Sequence, residues 1–148
     1  MRLKIPETKR TRASVYREAG EARYLEAMYL KDQHPSGAIY LAGYLVECYL
    51  KWALCQRAGV QYLQDLPDQK VASRLTSGKG HDLEALCVIT EYGLHFADDD
   101  SVKRAFQVAA VWSPGIRYVK ACGGQREAVQ FLAAVKVLRE NIRAWANR

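Results

Sequence analysis

Apolar residues recur along this chain at intervals of three and four, the spacing that aligns side chains on one face of an α-helix. The pattern predicts a first helix over residues 14–31, with Ser14 as its N-cap, and a second helix over residues 35–59. Apolar positions cover a wide face of the second helix, so we expect it to be the central one. Pro35 and Gly59 are typical of a helix start and a helix end.

Three further helices are predicted in the second half of the chain. One begins at His81 or Asp82, either of which can cap it, and ends at Gly93. The next opens on the carboxylates of residues 98–100, which complement the positive end of a helix dipole. The last covers residues 125–146. Before these helices the pattern is weaker. Leu63, Leu66 and Val71 predict a short helix or turn, and residues 73–80 are typical of a flexible loop.

The apolar positions of the last predicted helix form a seam like those of bundles and coiled coils. The members of this seam are Ala128, Phe131, Val135, Leu138, Ile142 and Trp145. Helices joined by short connections predict an all-α fold, an antiparallel helical bundle of about five helices. An exposed part of the seam would favour self-association, so we expect a homodimer. The alternative is that the seam is used entirely within one chain.

The formal net charge of +6 is unevenly distributed along the 148 residues. Residues 1–14 carry five basic side chains and one acidic side chain, whereas the rest of the chain is close to neutral for its length. We therefore divide the chain into a basic N-terminal arm, residues 1–14, and one helical domain, residues 15–148. The arm suits contact with nucleic acid or an acidic partner. The alternative is a solvated terminus without a specific contact.

The hydrophobic fraction of 49% supports a core for one domain of this size. No apolar run approaches the roughly 18–20 residues that a bilayer span requires. Glu47 and Lys51 interrupt the most apolar segment. The N-terminus is basic but lacks the apolar stretch of a secretory signal. These features predict a cytoplasmic protein that does not enter a membrane.

The four cysteines contain no C-x-x-C pair, and no histidine stands at zinc-finger spacing from two of them. Cys48, Cys55, Cys87 and Cys122 are therefore predicted to be small buried hydrophobes in a reducing compartment. We expect neither a metal site nor a cofactor.

Three short segments, taken in order, resemble those of one protein family. Residues 38–51 are rich in small side chains and end in the pattern E-C-x-L-K. Residues 80–86 contain G-H-D-L followed by a further leucine, and residues 112–118 contain W-x(4)-R-Y. The combination spans most of the domain and is similar to the HEPN family of small prokaryotic nucleotide- and RNA-associated domains.

The resemblance implies a helical bundle that is usually dimeric. Many members of this family are encoded with a minimal nucleotidyltransferase, as toxin–antitoxin or related defence modules. Some are metal-independent RNases with an R-x(4–6)-H motif at the dimer cleft, and others are taken as nucleotide- or RNA-binding partners. The resemblance thus predicts a nucleotide- or RNA-associated component of such a module, acting with a nucleotidyltransferase-type partner.

Arg74 and His81, with six residues between them, fit the RNase motif formally. Histidine can move the protons of RNA transesterification near neutral pH, and arginine can hold the scissile phosphate. The alternative interpretation is that His81 and Asp82 only cap a helix. The sequence leaves open whether the chain is a metal-independent endoribonuclease or a non-catalytic protein-interaction module.

Other polar residues are candidates for binding a nucleotide or RNA. Lys79 stands between two glycines before a helix start, beside Asp82, where backbone N–H groups and the lysine could cradle a phosphate. Three charged residues either form a structural ion-pair network or line a cleft that receives a nucleotide, with one tyrosine beside them. These residues are Glu47, Lys51, Arg117 and Tyr118.

A basic stripe lies next to the apolar seam of the last predicted helix. Lys136, Arg139 and Arg143 follow one another at spacings of three and four. The default interpretation of such a stripe is a solvated flank of the helix. The sharper interpretation is a surface that faces an anion.

Overall fold

The structure, a computed structural model, describes Met1 and residues 10–148. Over these residues the regular structure is helical, with seven α-helices and no strand, which confirms the predicted all-α helical bundle. The helices are α1 (Ala13–Leu30), α2 (Pro35–Ala58), α3 (Gln69–Thr76), α4 (Leu83–Ile89), α5 (Tyr92–His95), α6 (Asp100–Ala110) and α7 (Gln125–Ala146). Short 3-10 segments at Leu63–Asp65, Gly78–His81 and Pro114–Tyr118 lie in the connections. Residues 2–9 of the predicted arm lie outside the described residues.

Helix α2 is the central element of the bundle, as its wide apolar face predicts. It packs against both α1 and α7, and α7 in turn packs against α6. Pro35 occupies the first helical position, where its fixed φ suits a helix start and its missing N–H is not needed. Gly59 ends the helix in left-handed backbone, with a φ of 67°, and its N–H bonds to the last turn.

By length and composition alone, α2 is apolar enough to cross a membrane. Its most apolar window, however, has a mean hydropathy of 1.2 and is 78% buried inside the protein. A helix that its own chain covers to this extent is compatible with the core helix of a soluble protein.

The apolar seam of α7 is used within one chain. Its members are buried against the rest of the bundle: Ala128, Phe131, Val135, Leu138, Ile142 and Trp145. The seam therefore provides no apolar surface for a second copy. A homodimer stays a prediction that rests on the family resemblance and not on this seam.

Helix α1 begins slightly earlier than the sequence predicts. Arg12 is the N-cap residue, and it makes no side-chain capping bond. The N–H of Ala13 instead donates to the carbonyl of Gln61 at 2.7 Å, so a tertiary contact replaces the cap. The prediction of Ser14 as the N-cap is therefore wrong.

Residues 61–80 contain more structure than the sequence predicts, because α3 occupies part of the expected loop. Asp68 caps α3 by accepting hydrogen bonds from the N–H groups of Lys70 and Val71. Ala72 and Leu75 bury the inner face of the helix in the core. Two buried positions are too few to show as a periodic pattern, so the prediction of a flexible loop over residues 73–80 is wrong.

The helix predicted from His81 to Gly93 is divided in two. Asp82 caps α4 as predicted, and its carboxylate accepts a hydrogen bond from the Ala85 N–H at 3.0 Å. Glu91 then adopts left-handed backbone, with a φ of 58°, so that α4 ends and the short α5 begins before the glycine.

Three of the four cysteines are buried as predicted. Burial raises the pKa of the Cys48 thiol to about 12 and the pKa values of the Cys55 and Cys87 thiols to about 11, so these groups stay protonated at neutral pH. Cys122 is exposed, and the prediction that it is buried is wrong. It lies in the connection before α7, outside any helix, so its side chain is not part of a buried helical face.

Trp112 attaches the end of α6 to the central helix. Its buried indole ring lies directly on the backbone of Gly43, where no side chain keeps the two apart. The indole Nε1 donates a hydrogen bond to the Tyr40 carbonyl at 3.0 Å, and the ring meets Tyr44 edge-on. Only glycine permits this approach, because a Cβ at position 43 would overlap the indole.

We predict that Gly43→Ala lowers the free energy of unfolding by about 1–3 kcal/mol, because the new Cβ would overlap the buried indole of Trp112 and displace it from its hydrogen bond with Tyr40. Urea titration followed by far-UV circular dichroism measures the change. Gly37→Ala is the matched control in the same helix. The nearest atom to a Cβ there is 3.8 Å away, so this change is expected to be neutral or stabilising by up to about 1 kcal/mol. Equal effects at both positions would contradict the assigned role of Trp112.

Candidate functional site

A buried ion pair lies in the middle of α2. The ammonium of Lys51 donates a hydrogen bond to Glu47 Oε1 at 2.8 Å, and each residue is only 4% exposed. The two residues are one helical turn apart, which brings their side chains together on one face. Removing two charges from water is costly unless they are paired, so this pair must form whenever the bundle packs.

His81 joins the same carboxylate from a different part of the chain. The 3-10 segment Gly78–His81 places His81 Nδ1 3.0 Å from Glu47 Oε1. A carboxylate only accepts hydrogen bonds, so we assign the proton of the neutral ring to Nδ1. The imidazole side chain is 51% exposed, so its Nε2 remains available to solvent or to a ligand.

The second oxygen of Glu47 is also buried. Among the residues that the structure describes, Glu47 Oε2 has no hydrogen-bond partner. A buried acceptor without a donor costs about 1–3 kcal/mol, and more when it is charged. In folded proteins, an acceptor of this kind is accounted for by a functional role, by strain or by an ordered water or ion.

Tyrosines border this cluster on α1 and α2. The ring of Tyr16 lies 5.7 Å from the Lys51 ammonium, within the range of a cation–π contact. Burial raises the pKa of Tyr16, and Cys48 and Glu47 raise it further, so the phenol stays protonated. Burial and the hydrogen bond with Tyr40 raise the pKa of Tyr44 in the same direction. These groups therefore act as hydrogen-bonding neighbours and not as bases near neutral pH.

His81 also lines a surface cleft of about 460 Å³. One wall is the start of α4, including Asp82 and Glu84, and the other is the end of α6 with residues 110–114. Trp112 contributes to this second wall, so its contact with α2 fixes the width of the cleft. The cleft thus combines a half-exposed imidazole, two carboxylates and an aromatic wall.

Arg117 and Tyr118 lie in the 3-10 segment that starts at Pro114, a residue of the cleft wall. The Arg117 guanidinium lies 4.8 Å from the centre of the Tyr118 ring, and Tyr118 is 80% exposed. Hydrogen bonds with Tyr118 and Tyr40 raise the pKa of Arg117. Of the two ion-pair partners that the sequence offers Glu47, Lys51 and Arg117, the structure pairs it with Lys51, whereas Arg117 lies beside the tyrosines.

Arg74 lies in the last turn of α3, which is ordered helix and not a loop. Its side chain is exposed, and its carbonyl accepts a hydrogen bond from the Ser77 hydroxyl at 2.8 Å. Within the described part of the chain, the Arg74 side chain makes no hydrogen bond or ion pair with His81. The structure therefore joins His81 to Glu47 and Lys51 but does not join it to Arg74. The Lys79 side chain lies outside the described residues.

Two of the three basic residues in the stripe on α7, Arg139 and Arg143, lie beside the carboxylate of Glu21. Arg139 donates two hydrogen bonds to this carboxylate, at 2.7 and 2.9 Å, and the Tyr49 hydroxyl donates a third. Arg143 lies 3.7 Å from the same carboxylate. Lys136 remains exposed. Sequence reasoning missed Glu21 and Tyr49, because their approach to α7 depends on how α1 and α2 pack.

The described part of the N-terminal arm lies against the segment before α3. Arg10 forms an ion pair with Asp65 at 2.5 Å, and its guanidinium lies over the Tyr62 ring. Arg12 donates a hydrogen bond to the Tyr62 hydroxyl at 3.3 Å. Thus at least this part of the predicted arm makes specific contacts with the helical domain.

No cluster of metal-ligating side chains is present among the described residues. Comparisons of the chain with models of known protein families, with curated proteins and with solved structures found no match. The resemblance to the HEPN family therefore stays a prediction from the sequence.

We predict that Glu47→Ala lowers the free energy of unfolding by about 3–5 kcal/mol, because it leaves the Lys51 ammonium buried without a counter-charge. The double variant Glu47→Leu/Lys51→Met removes both charges and should recover most of this loss. Urea titration gives both values. The matched control is Glu26→Ala, which breaks an exposed ion pair with Arg23 on α1 and should cost less than about 1 kcal/mol. A similar small loss for Glu47→Ala would contradict a buried pair.

Proposed function

We propose that this chain is a HEPN-like, RNA- or nucleotide-associated component of a toxin–antitoxin or defence module. The observation that carries the nucleic-acid part is a half-exposed His81, held by buried Glu47 in a cleft whose wall includes Pro114, the first residue of the segment that carries exposed Arg117 and Tyr118. The family resemblance alone supports the homodimer and the nucleotidyltransferase-type partner, whereas the cytoplasmic location rests on the composition of the chain.

The pairing of Arg117 with Tyr118 supports binding of a single-stranded base. Because the Tyr118 ring is 80% exposed, a base can stack on it without displacing many protein contacts. The stacking of one base contributes about 1–3 kcal/mol. The adjacent guanidinium can stack on the base or hold its phosphate. Sequence preference would be low, since every base has a face that stacks.

The chemistry of the cleft favours the edge of a base over a phosphate. Asp82 and Glu84 line the cleft, and their carboxylates would repel a phosphate. They can instead accept hydrogen bonds from exocyclic amino groups, as carboxylates do with cytosine. In this arrangement the base enters beside His81, and the phosphate stays near Arg117 outside the cleft.

A second candidate function is a metal-independent RNase; the contact between Glu47 and His81 favours it, whereas the carboxylates of Asp82 and Glu84 act against a phosphate beside His81. A carboxylate that holds Nδ1 leaves Nε2 to take the proton of the RNA 2′-hydroxyl, whose oxygen then attacks phosphorus. The 5′-oxygen leaves with a proton from an imidazolium, either this one or the His81 of a second copy. Arg74 would stabilise the added charge on the phosphate, provided that the RNA bridges α3 and the cleft.

We predict that the wild-type chain binds a mixed-sequence single-stranded RNA at low salt, measured by fluorescence anisotropy. Tyr118→Ala should weaken this binding about 5- to 100-fold, in line with the loss of one stacked base. Tyr29→Ala is the matched control, because Tyr29 is equally exposed but lies on α1. Equal losses of RNA affinity in the two variants would contradict the assignment of Tyr118 as the residue on which a base stacks.

The same RNA, incubated in EDTA, tests the enzymatic candidate. Cleavage by the wild type that disappears in His81→Ala but persists in His34→Ala would show a metal-independent RNase acting through His81. Binding without cleavage would support a non-catalytic RNA partner. If the chain bound neither RNA nor nucleoside triphosphates, the proposal would be overturned. The non-catalytic protein-interaction module would then remain as the alternative.

A further inference from the structure

A second cavity, of about 470 Å³, lies where the C-terminal ends of α2 and α7 meet the α4–α5 connection. Its charged and titratable lining is Arg57, Glu91, His95 and Arg148. The remaining lining residues are Leu54, Thr90, Leu94 and Trp145. Arg57 follows Glu47 by ten residues on α2, roughly 15 Å along the helix axis, so this cavity is separate from the His81 cleft.

The two arginines of the cavity have no carboxylate partner. Within the described part of the chain, no carboxylate oxygen lies within 4.0 Å of Arg57 or Arg148, although Glu91 lines the same cavity. Arg57 is nevertheless held in place. Its Nη1 donates a hydrogen bond to the Trp145 carbonyl at 2.9 Å, and its guanidinium lies 4.9 Å from the centre of the Trp145 ring.

His95 faces both arginines from α5. Its imidazole is packed near the rings of Tyr92 and Trp145, with centres 6.0 and 6.2 Å away. Burial lowers the pKa of His95, and the positive charges of Arg148 and Arg57 lower it further, whereas Asp99 at the start of α6 acts in the opposite direction. The ring is therefore mainly neutral at pH 7, because burial and the two guanidinium charges outweigh the carboxylate of Asp99.

We propose that this cavity binds the phosphate group of a small organic phosphate, between Arg57, His95 and Arg148. Guanidinium groups match the geometry of phosphate oxygens and bind them with two parallel hydrogen bonds. An anchored arginine has already lost most of its side-chain freedom, so binding costs less entropy. The phosphate would offset the repulsion between the two guanidinium groups and would favour protonation of His95.

The volume of the cavity favours an organic phosphate over free phosphate. Clefts of roughly 300–1,000 Å³ are the size that holds small-molecule ligands. Exposed Leu94 provides an apolar surface for the organic part, being 77% exposed. Inorganic phosphate would contact only the basic groups, so we expect it to bind more weakly than an organic phosphate. A comparison of the two affinities therefore distinguishes the two ligands.

The test is isothermal titration calorimetry of the full chain at pH 6.5 and constant ionic strength, with AMP, inorganic phosphate and adenosine as separate probes. AMP is expected to bind most tightly, inorganic phosphate more weakly and adenosine least. Arg57→Gln should weaken AMP binding at least tenfold. Arg104→Gln, at an exposed arginine on α6, should leave it unchanged.

NMR titration of His95 gives a second measurement on the wild-type fold. A bound phosphate offsets the charges of Arg57 and Arg148, so the pKa of His95 should rise on addition of AMP, whereas the ring signals of exposed His34 should not change. His95→Asn should weaken binding more at pH 6 than at pH 8. Retained Tyr118-dependent RNA binding in Arg57→Gln would separate this site from the proposed function.

Three outcomes would overturn the proposal. They are no binding of AMP or phosphate to the folded wild type at millimolar concentration, equal affinity for AMP and adenosine, and equal AMP affinity in Arg57→Gln and Arg104→Gln. Equal affinity for AMP and inorganic phosphate, lost in Arg57→Gln, would retain the phosphate site but assign it to the free anion.

Discussion

The rest of the site depends on one carboxylate, Glu47, buried in the middle of the central helix. One of its oxygens accepts hydrogen bonds from both Lys51 and His81. The other oxygen is buried and has no hydrogen-bond partner among the described residues. A charge in this position is stable only while its counter-charge stays within contact distance. The packing around α2 must therefore hold the 3-10 turn that carries His81, and with it the junction between α3 and α4.

The cleft is assembled from segments that are far apart along the chain. Glu47 comes from α2, His81 from the turn before α4, and Trp112 from the end of α6. The contact of the Trp112 indole with Gly43 holds the end of α6 against α2. Arg117 and Tyr118 are different in kind, because they lie at the surface, where the guanidinium packs against the exposed Tyr118 ring. The structure thus combines a buried polar cluster, Glu47 with Lys51 and His81, with the exposed aromatic side chain of Tyr118.

Sequence reasoning predicted the long elements well and the short ones poorly. The bounds of α2 and α7 follow from long periodic patterns with a proline or glycine at an end, which are local signals. Helix α3 shows only two buried positions, and Cys122 depends on the path of a connection, so neither has a local signal. The same limit explains why Asp82 was recognised as a cap, whereas the hydrogen bonds of Glu21 to Arg139 were not. A cap acts within one turn, but an ion pair between α1 and α7 depends on tertiary packing.

The most direct test of the account is the tautomer of His81, measured by long-range ¹H–¹⁵N NMR of the histidine rings at a pH where the ring is neutral. A ring held at Nδ1 by Glu47 is expected to carry its proton on Nδ1, with Nε2 unprotonated. Exposed His34 and the variant Glu47→Gln provide the comparison within the same fold. A His81 ring with its proton on Nε2, unchanged by Glu47→Gln, would contradict the arrangement from which the proposed function is argued.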